Sequence, residues 1–287
     1  MFRRRRSPGI GIVLLAAQLF QVGFNHIPPV TLGVIGVNTV VFLRLLNGLP
    51  SITKACISFH HVWYNGEWIR IILSPFFHLD DMHLYYNMAS FLLKSRSLES
   101  RLGSAGLLYL ISVFSVLTSV MLLALDKCLA TLLDDPSYLY TCAAGFSGVL
   151  FALKVVTTHY LPPGMSYVMM FRVPSRIACW VELIVIQLLF PNTSFTGHLA
   201  GILVGLLYVN GPLKWLMASF GKYSTEFCNY SQGRRYWGCG GCHTPPPPQI
   251  FKNRENSGKL RENLGKLMSQ VATFVVVSAS NKIRAIL

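Results

Sequence analysis

Charge is what this chain has least of. Charged side chains occupy 13% of its 287 residues, only 11 of them are Asp or Glu, and 52% of the residues are hydrophobic. A soluble domain carries about 25% charged residues, so the polar side chains here are too few to clothe a water-facing surface, and the composition points to a chain dissolved in lipid. No internal repeat is visible, which argues against a transporter built from inverted halves. No RNA- or DNA-binding motif accompanies the basic residues, which excludes a nucleic-acid partner. The seven cysteines form an odd, irregular set that does not read as a disulfide framework. Cys239-Gly-Gly-Cys242-His243 has the spacing of a c-type haem attachment but stands alone, without further ligands or haem context. No metal and no cofactor is expected. No small-residue cleavage site follows the basic start, so no removed leader is expected.

What charge there is has one sign. The formal net charge is +14. Residues 213–287 hold eleven Lys/Arg against three Asp/Glu, and Arg3 to Arg6 add a basic run at the start. Basic flanks on an apolar chain fit attraction to the anionic cytosolic leaflet, so the lipid bilayer is the partner they imply.

Residues 9–26 are apolar except for Gln18, Gln21 and Asn25, which recur at helical spacing and give a polar stripe. That pattern suggests a helix lying in the interface, ended by Pro28 and Pro29. Six further stretches could cross a bilayer: 30–46, 83–98, 105–125, 147–161, 176–190 and 198–216. Lys94, Arg96, Arg101, Arg172, Arg176 and Lys214 then fall on one side, which the positive-inside rule makes cytosolic. Loops 47–82, 126–145 and 191–197 fall on the other, with Arg44 and Lys54 as exceptions. The expected organisation is all-α and polytopic: residues 1–27 as a basic start with an interfacial helix, 28–216 as a six-helix membrane domain, and 217–287 as a disordered cytosolic tail. Both termini are expected in the cytosol.

Polar groups inside spans are costly and therefore informative. Ser147 opens the fourth span within Gly145-Phe146-Ser147-Gly148, and His198 opens the sixth within Gly197-His198-Leu199-Ala200-Gly201. His83 and Asn87, four residues apart, share one face at the start of the second span. All three spans start on the same side, so the four side chains can meet at one depth. A serine beside a neutral histidine is the minimum that activates a hydroxyl for attack on a carbonyl. His83, Asn87 and the Ser147 backbone N–H can donate to the oxyanion that forms. No carboxylate is near enough in sequence to complete a triad, so a dyad is expected. Gly201 and Gly205 make a small-xxx-small face that lets the sixth helix approach the fourth. Trp68 and Arg70 fit an interfacial anchor, and Glu99 and Arg101 fit a loop-fixing role. Segment 176–190 with loop 191–197 is the candidate gate for substrate.

In combination these motifs resemble the rhomboid family over residues 28–216. The resemblance rests on Trp68-Ile69-Arg70, His78 with His83 and Asn87, Glu99-x-Arg101-x-Gly103, Gly145-x-Ser147-Gly148, and His198 with Gly201 and Gly205. It implies a six-helix bundle with Ser147 as nucleophile, His198 as general base, His83 and Asn87 in the oxyanion hole, and Gly145, Gly148, Gly201 and Gly205 in support. Transmembrane proteins cut in or near the bilayer would be the substrates. The Ile27-Pro28-Pro29-Val30-Thr31 stretch and basic start are similar to an endoplasmic-reticulum branch of the family linked to degradation of membrane proteins. That branch implies an active site facing the lumen, and ubiquitin- and ATPase-binding elements in the tail. No acidic ubiquitin-interacting helix and no Arg-rich helix is found in 217–287. A non-catalytic membrane chaperone of derlin type is the alternative, but it does not need Ser147 and His198 together.

Overall fold

The computed structural model describes residues 9–160, 165–168, 171–191 and 193–220. Expectations about Arg3 to Arg6, Cys239 to His243 and the tail beyond 220 lie outside the described residues.

Among the described residues, seven helices carry the architecture. They are α1 (Ile10–Val22), α2 (Pro29–Leu43), α3 (Asp81–Leu132), α4 (Ser147–Tyr160), α5 (Ala178–Leu189), α6 (Phe195–Val209) and α7 (Pro212–Phe220). One feature departs from the all-α expectation. A short antiparallel hairpin, β1 (Met165–Val168) and β2 (Phe171–Pro174), links α4 to α5, pairing Met165 with Pro174 and Val168 with Phe171. Among the described residues, α3 alone is long and apolar enough to cross a membrane by length and composition, while α1, α2 and α6 are shorter apolar helices.

The helix α3 is two helices joined end to end. Straight, its 52 residues would extend about 78 Å, more than twice the roughly 30 Å of a bilayer core. Gly103 interrupts it with φ 71° and ψ 164°, backbone that glycine adopts without a Cβ penalty. His83 and Thr118 line one recess, although a straight helix would hold them about 50 Å apart. The two arms therefore fold back on each other at Gly103.

Glu99 fixes the far end of this hairpin to α2. Its carboxylate accepts hydrogen bonds from the backbone N–H groups of Val30 (2.9 Å) and Thr31 (2.8 Å), from the Thr31 hydroxyl (2.8 Å) and from the Ser104 hydroxyl (2.7 Å). A buried anion thus satisfies the orphan donors that open α2 and faces the positive end of its dipole. Pro28 in extended backbone and Pro29 at the first helical position set that start.

The first helix is placed differently from the sequence expectation. Its opening N–H at Gly11 donates to Asp81 at 2.8 Å, and its chain then leads to Pro28 and the Glu99 end of the same α3 arm. So α1 lies along α3, with Leu15 in the main core, rather than flat across one end, and Ile10 stands at the Asp81 end. The last expected span, 198–216, is also divided. It breaks at Gly211 (φ 111°) into α6 and α7.

The main core lies between the α3 arms, α4 and α6. Phe91, Phe114, Phe146, Leu84, Met88 and Leu153 are fully buried there, with Phe91 edge-on to Phe146 (5.4 Å) and Phe114 edge-on to Tyr208 (5.5 Å). Aromatic pairs of this kind add about 0.5–1.5 kcal/mol each beyond the area they bury.

Candidate active site

Ser147 is the first residue of α4, and a sequence of constraints delivers it. Ile57 and Ala143 exchange a pair of backbone hydrogen bonds, each 2.8 Å. Gly145 N–H donates to the Ser74 carbonyl at 3.0 Å, and Phe146 N–H donates to His78 Nε2 at 3.4 Å. Gly145 has φ 131°, and a Cβ there would stand 2.8 Å from Cε1 of His83. Only glycine meets both conditions.

His198 sits in the first turn of α6 and is 4% exposed. Ser194 caps that helix, its hydroxyl accepting the Gly197 N–H at 3.1 Å. The Phe151 ring lies against the imidazole at 4.9 Å. Nε2 of His198 lies 3.0 Å from Ser147 Oγ. For Nε2 to accept the serine proton, the imidazole proton must be on Nδ1. Nδ1 is buried and has no hydrogen-bond partner among the described residues, so no carboxylate orients this ring.

The glycines set the separation of these two helices. A Cβ at Gly201 would overlap the Gly148 carbonyl oxygen. One at Gly205 would stand 2.9 Å from the Ala152 carbonyl oxygen and 2.8 Å from Val155 Cβ. A Cβ at Gly148 would stand 3.2 Å from the Gly197 carbonyl oxygen. The α4–α6 contact is therefore backbone against backbone, the approach that small residues permit between membrane helices.

Ser147, His198, His83 and Asn87 all line one cavity of about 550 Å³ between α5 and the first arm of α3. Asp80 caps that arm by accepting the His83 N–H at 2.7 Å. The Asn87 amide donates one hydrogen to the His83 carbonyl at 2.7 Å, and its second hydrogen remains for the cavity. The four sequence-predicted side chains are thus brought together.

Other residues take roles that the sequence reading missed. Arg70 is no interfacial anchor. It is 3% exposed, and its guanidinium donates to the Thr53 (2.9 Å) and Cys56 (2.6 Å) carbonyls and pairs with Glu67. Trp68 beside it is exposed. His78 is buried beneath His83, ring to ring at 5.1 Å. Burial, reinforced by neighbouring His83, holds its pKa well below the ordinary 6.5, which keeps Nε2 free to accept from Phe146. Cys56 and Cys142 are disulfide-bonded across 86 residues. This corrects the reading of the cysteines: two loops far apart in sequence meet at the Ile57–Ala143 bridge and bring the pair together. Lys154 and Glu182 form an ion pair between α4 and α5 in the cavity wall. Both lie inside expected spans, so the rarity of charge at such positions could have found them.

The Rhomboid domain family model matches residues 65–214, a stretch that contains every residue of this cavity and both arms of α3. Human Rhomboid-related protein 4 is 48% identical over 237 residues, covering 83% of this chain and 74% of the relative. The chain belongs to the rhomboid family. Mouse Rhomboid-related protein 4 is 50% identical over 217 residues, 76% of this chain and 68% of the relative. A plant relative, Rhomboid-like protein 14, mitochondrial, of Arabidopsis thaliana, is 37% identical over 213 residues. The protein is accordingly a helical membrane protein of a family that includes intramembrane serine proteases.

Proposed function

We propose that this rhomboid is an active intramembrane serine endopeptidase, with Ser147 as nucleophile and His198 as general base. The observation that carries the reading is the 3.0 Å contact between Ser147 Oγ and His198 Nε2 at a cavity that also presents His83 and Asn87. In the first half-reaction Ser147 Oγ attacks the substrate carbonyl as His198 takes its proton. The oxyanion receives hydrogen bonds from the Ser147 N–H, from His83 and from the second amide hydrogen of Asn87. His198 then hands its proton to the departing amine, and water, activated by the same imidazole, releases the acyl group. No step needs a metal or a cofactor.

The substrates are single-span, and also polytopic, membrane proteins that reach the cavity sideways between α5 and the first arm of α3. Residues 28–216 form the protease domain within a six-span arrangement, flanked by 1–27 and by a cytosolic 217–287. The membrane is that of the endoplasmic reticulum, with the site open to the lumen and the activity serving turnover of membrane proteins, where ubiquitin- and ATPase-linked machinery operates. The Cys56–Cys142 disulfide supports a lumenal site, because such bonds persist in oxidising compartments. Lys94, Arg96 and Arg101 towards the opposite end of the α3 arm support the same orientation.

Co-expression of a single-span reporter with wild type, Ser147→Ala and His198→Ala tests the reading. A cleaved fragment is expected with wild type alone. Equal fragment in all three would overturn it.

A further inference from the structure

The segment that carries Ser147 is tied down unequally on its two sides. Cys56 is buried, and its carbonyl accepts from the buried Arg70 guanidinium at 2.6 Å. Cys142, its disulfide partner, is exposed. It stands five residues before Ser147 and lines the recess that holds Ser147 and His198. Between the two lie Ala143, bridged to Ile57, then Gly145 and Phe146, each held by one further hydrogen bond, to Ser74 and His78. Upstream of Cys142, the stretch Ser137–Tyr140 is a single helical turn with no buried residue. Among the described residues, the disulfide is thus the one side-chain covalent tie between the Arg70-fixed loop and the segment that leads to the Ser147 N–H.

We propose that the Cys56–Cys142 disulfide is a positioning element whose oxidation state sets the rate of turnover at Ser147. The proposal rests on the serine-protease reading given above. A dithiol reductant supplies the chemistry. Its thiolate attacks the accessible sulfur of Cys142, a mixed disulfide forms, and the S–S bond breaks with Cys56 leaving as thiolate. The second thiol of the reductant then attacks its own mixed-disulfide sulfur and releases Cys142. Two electrons pass to the cysteine pair, the reductant becomes a cyclic disulfide, and its two protons end on Cys56 and Cys142. Cys56 stays held by Arg70, so the released slack falls on residues 142–146. Displacement of a reacting group by about 1 Å costs on the order of a hundredfold in rate. The remaining Ile57–Ala143, Gly145–Ser74 and Phe146–His78 contacts limit the shift, so a fall of about tenfold is expected. Neither cysteine lines the cavity between α5 and the first α3 arm, so substrate entry by that route is spared.

The test uses the full chain in liposomes with a single-span reporter. It is assayed before dithiothreitol, after it, and after reoxidation with oxidised glutathione, with thiol alkylation and mass measurement confirming each state. The expected result is a kcat about tenfold lower on reduction, a KM within about twofold, and recovery on reoxidation. Cys142→Ser should start at the low rate and ignore dithiothreitol, while Cys128→Ser should behave as wild type. An unchanged kcat in chain shown by mass to be reduced would overturn the proposal, whether or not Cys142→Ser folds. Fragment formation by Ser147→Ala would instead sink the protease reading.

Discussion

Replacing Gly201 with alanine adds one methyl group at the tightest point of the α4–α6 contact. At Gly205 an added Cβ would meet Val155 Cβ at 2.8 Å and the Ala152 carbonyl oxygen at 2.9 Å, against an ordinary carbon contact of about 3.5–4.0 Å. Relief there needs the helices to part by roughly 0.6–1 Å. At Gly201 the overlap with the Gly148 carbonyl is greater still, and backbone cannot rotate away as a flexible side chain can. Overpacking of this kind costs about 1–3 kcal/mol. The larger effect is on rate. Gly148 follows Ser147 and Gly201 lies three residues after His198, so the parting is delivered almost whole to the 3.0 Å Oγ–Nε2 contact. A misplacement of about 1 Å corresponds to a loss on the order of a hundredfold in kcat. The assay is reporter turnover in liposomes, with the thermal midpoint measured in detergent alongside. Gly36→Ala is the control, since nothing lies within 4 Å of a Cβ there and α2 is helical at that position. It should gain about 0.5–1 kcal/mol and leave turnover unchanged. A Gly201→Ala protein with wild-type turnover and stability would refute the reasoning.

Three other outcomes follow from the structure. Glu99→Gln replaces one of two acceptor oxygens by an N–H group facing the donors of Val30, Thr31 and Ser104. It should cost about 1–3 kcal/mol, seen as a lowered thermal midpoint without a change in KM. Lys154→Met leaves Glu182 charged and unpaired in the cavity wall and should destabilise by about 3–5 kcal/mol, while Lys154→Met combined with Glu182→Leu should recover most of that loss. A double-mutant cycle by denaturation measures it, and additive losses would exclude the coupling. The folded-state pKa of His78 is lowered by burial, so below about pH 6.5 the unfolded chain binds the extra proton. Stability should therefore fall as pH drops from 6.5 towards the depressed value, by up to about 1.4 kcal/mol per pH unit. His78→Gln should flatten that slope, and an unchanged slope would remove His78 from the account.

The site was largely legible because its residues break the chemistry of their surroundings. Ser147, His198, His83 and Asn87 are polar groups at helix starts in a chain poor in polar groups, and the four-residue spacing of Gly201 and Gly205 announces a close helix contact. Helix positions followed hydropathy, but their ends did not. Gly103 and Gly211 decide where α3 folds back and where α6 stops, through backbone angles that composition does not express. The partners of long-range contacts were the least legible. Glu99 reaches the start of α2 from 69 residues away, Cys56 reaches Cys142 from 86, and Arg70 is buried by a loop that has no periodicity to read. The α1 polar stripe suggested an interface, yet Leu15 and the Gly11–Asp81 hydrogen bond bind that helix along α3. Tertiary packing outweighed a weak local pattern. Lys154 and Glu182 could have been paired from sequence, since two opposite charges in adjacent spans have few other ways to be satisfied.

The most direct measurement is covalent capture. An organophosphonate probe that reacts only with activated serine hydroxyls is added to the full chain in liposomes, and the modified residue is located by mass spectrometry. A single adduct on Ser147 is expected, absent in Ser147→Ala and strongly reduced in His198→Ala. Wild-type protein that cleaves the reporter while Ser147 stays unlabelled, or labelling that is indifferent to His198, would contradict it.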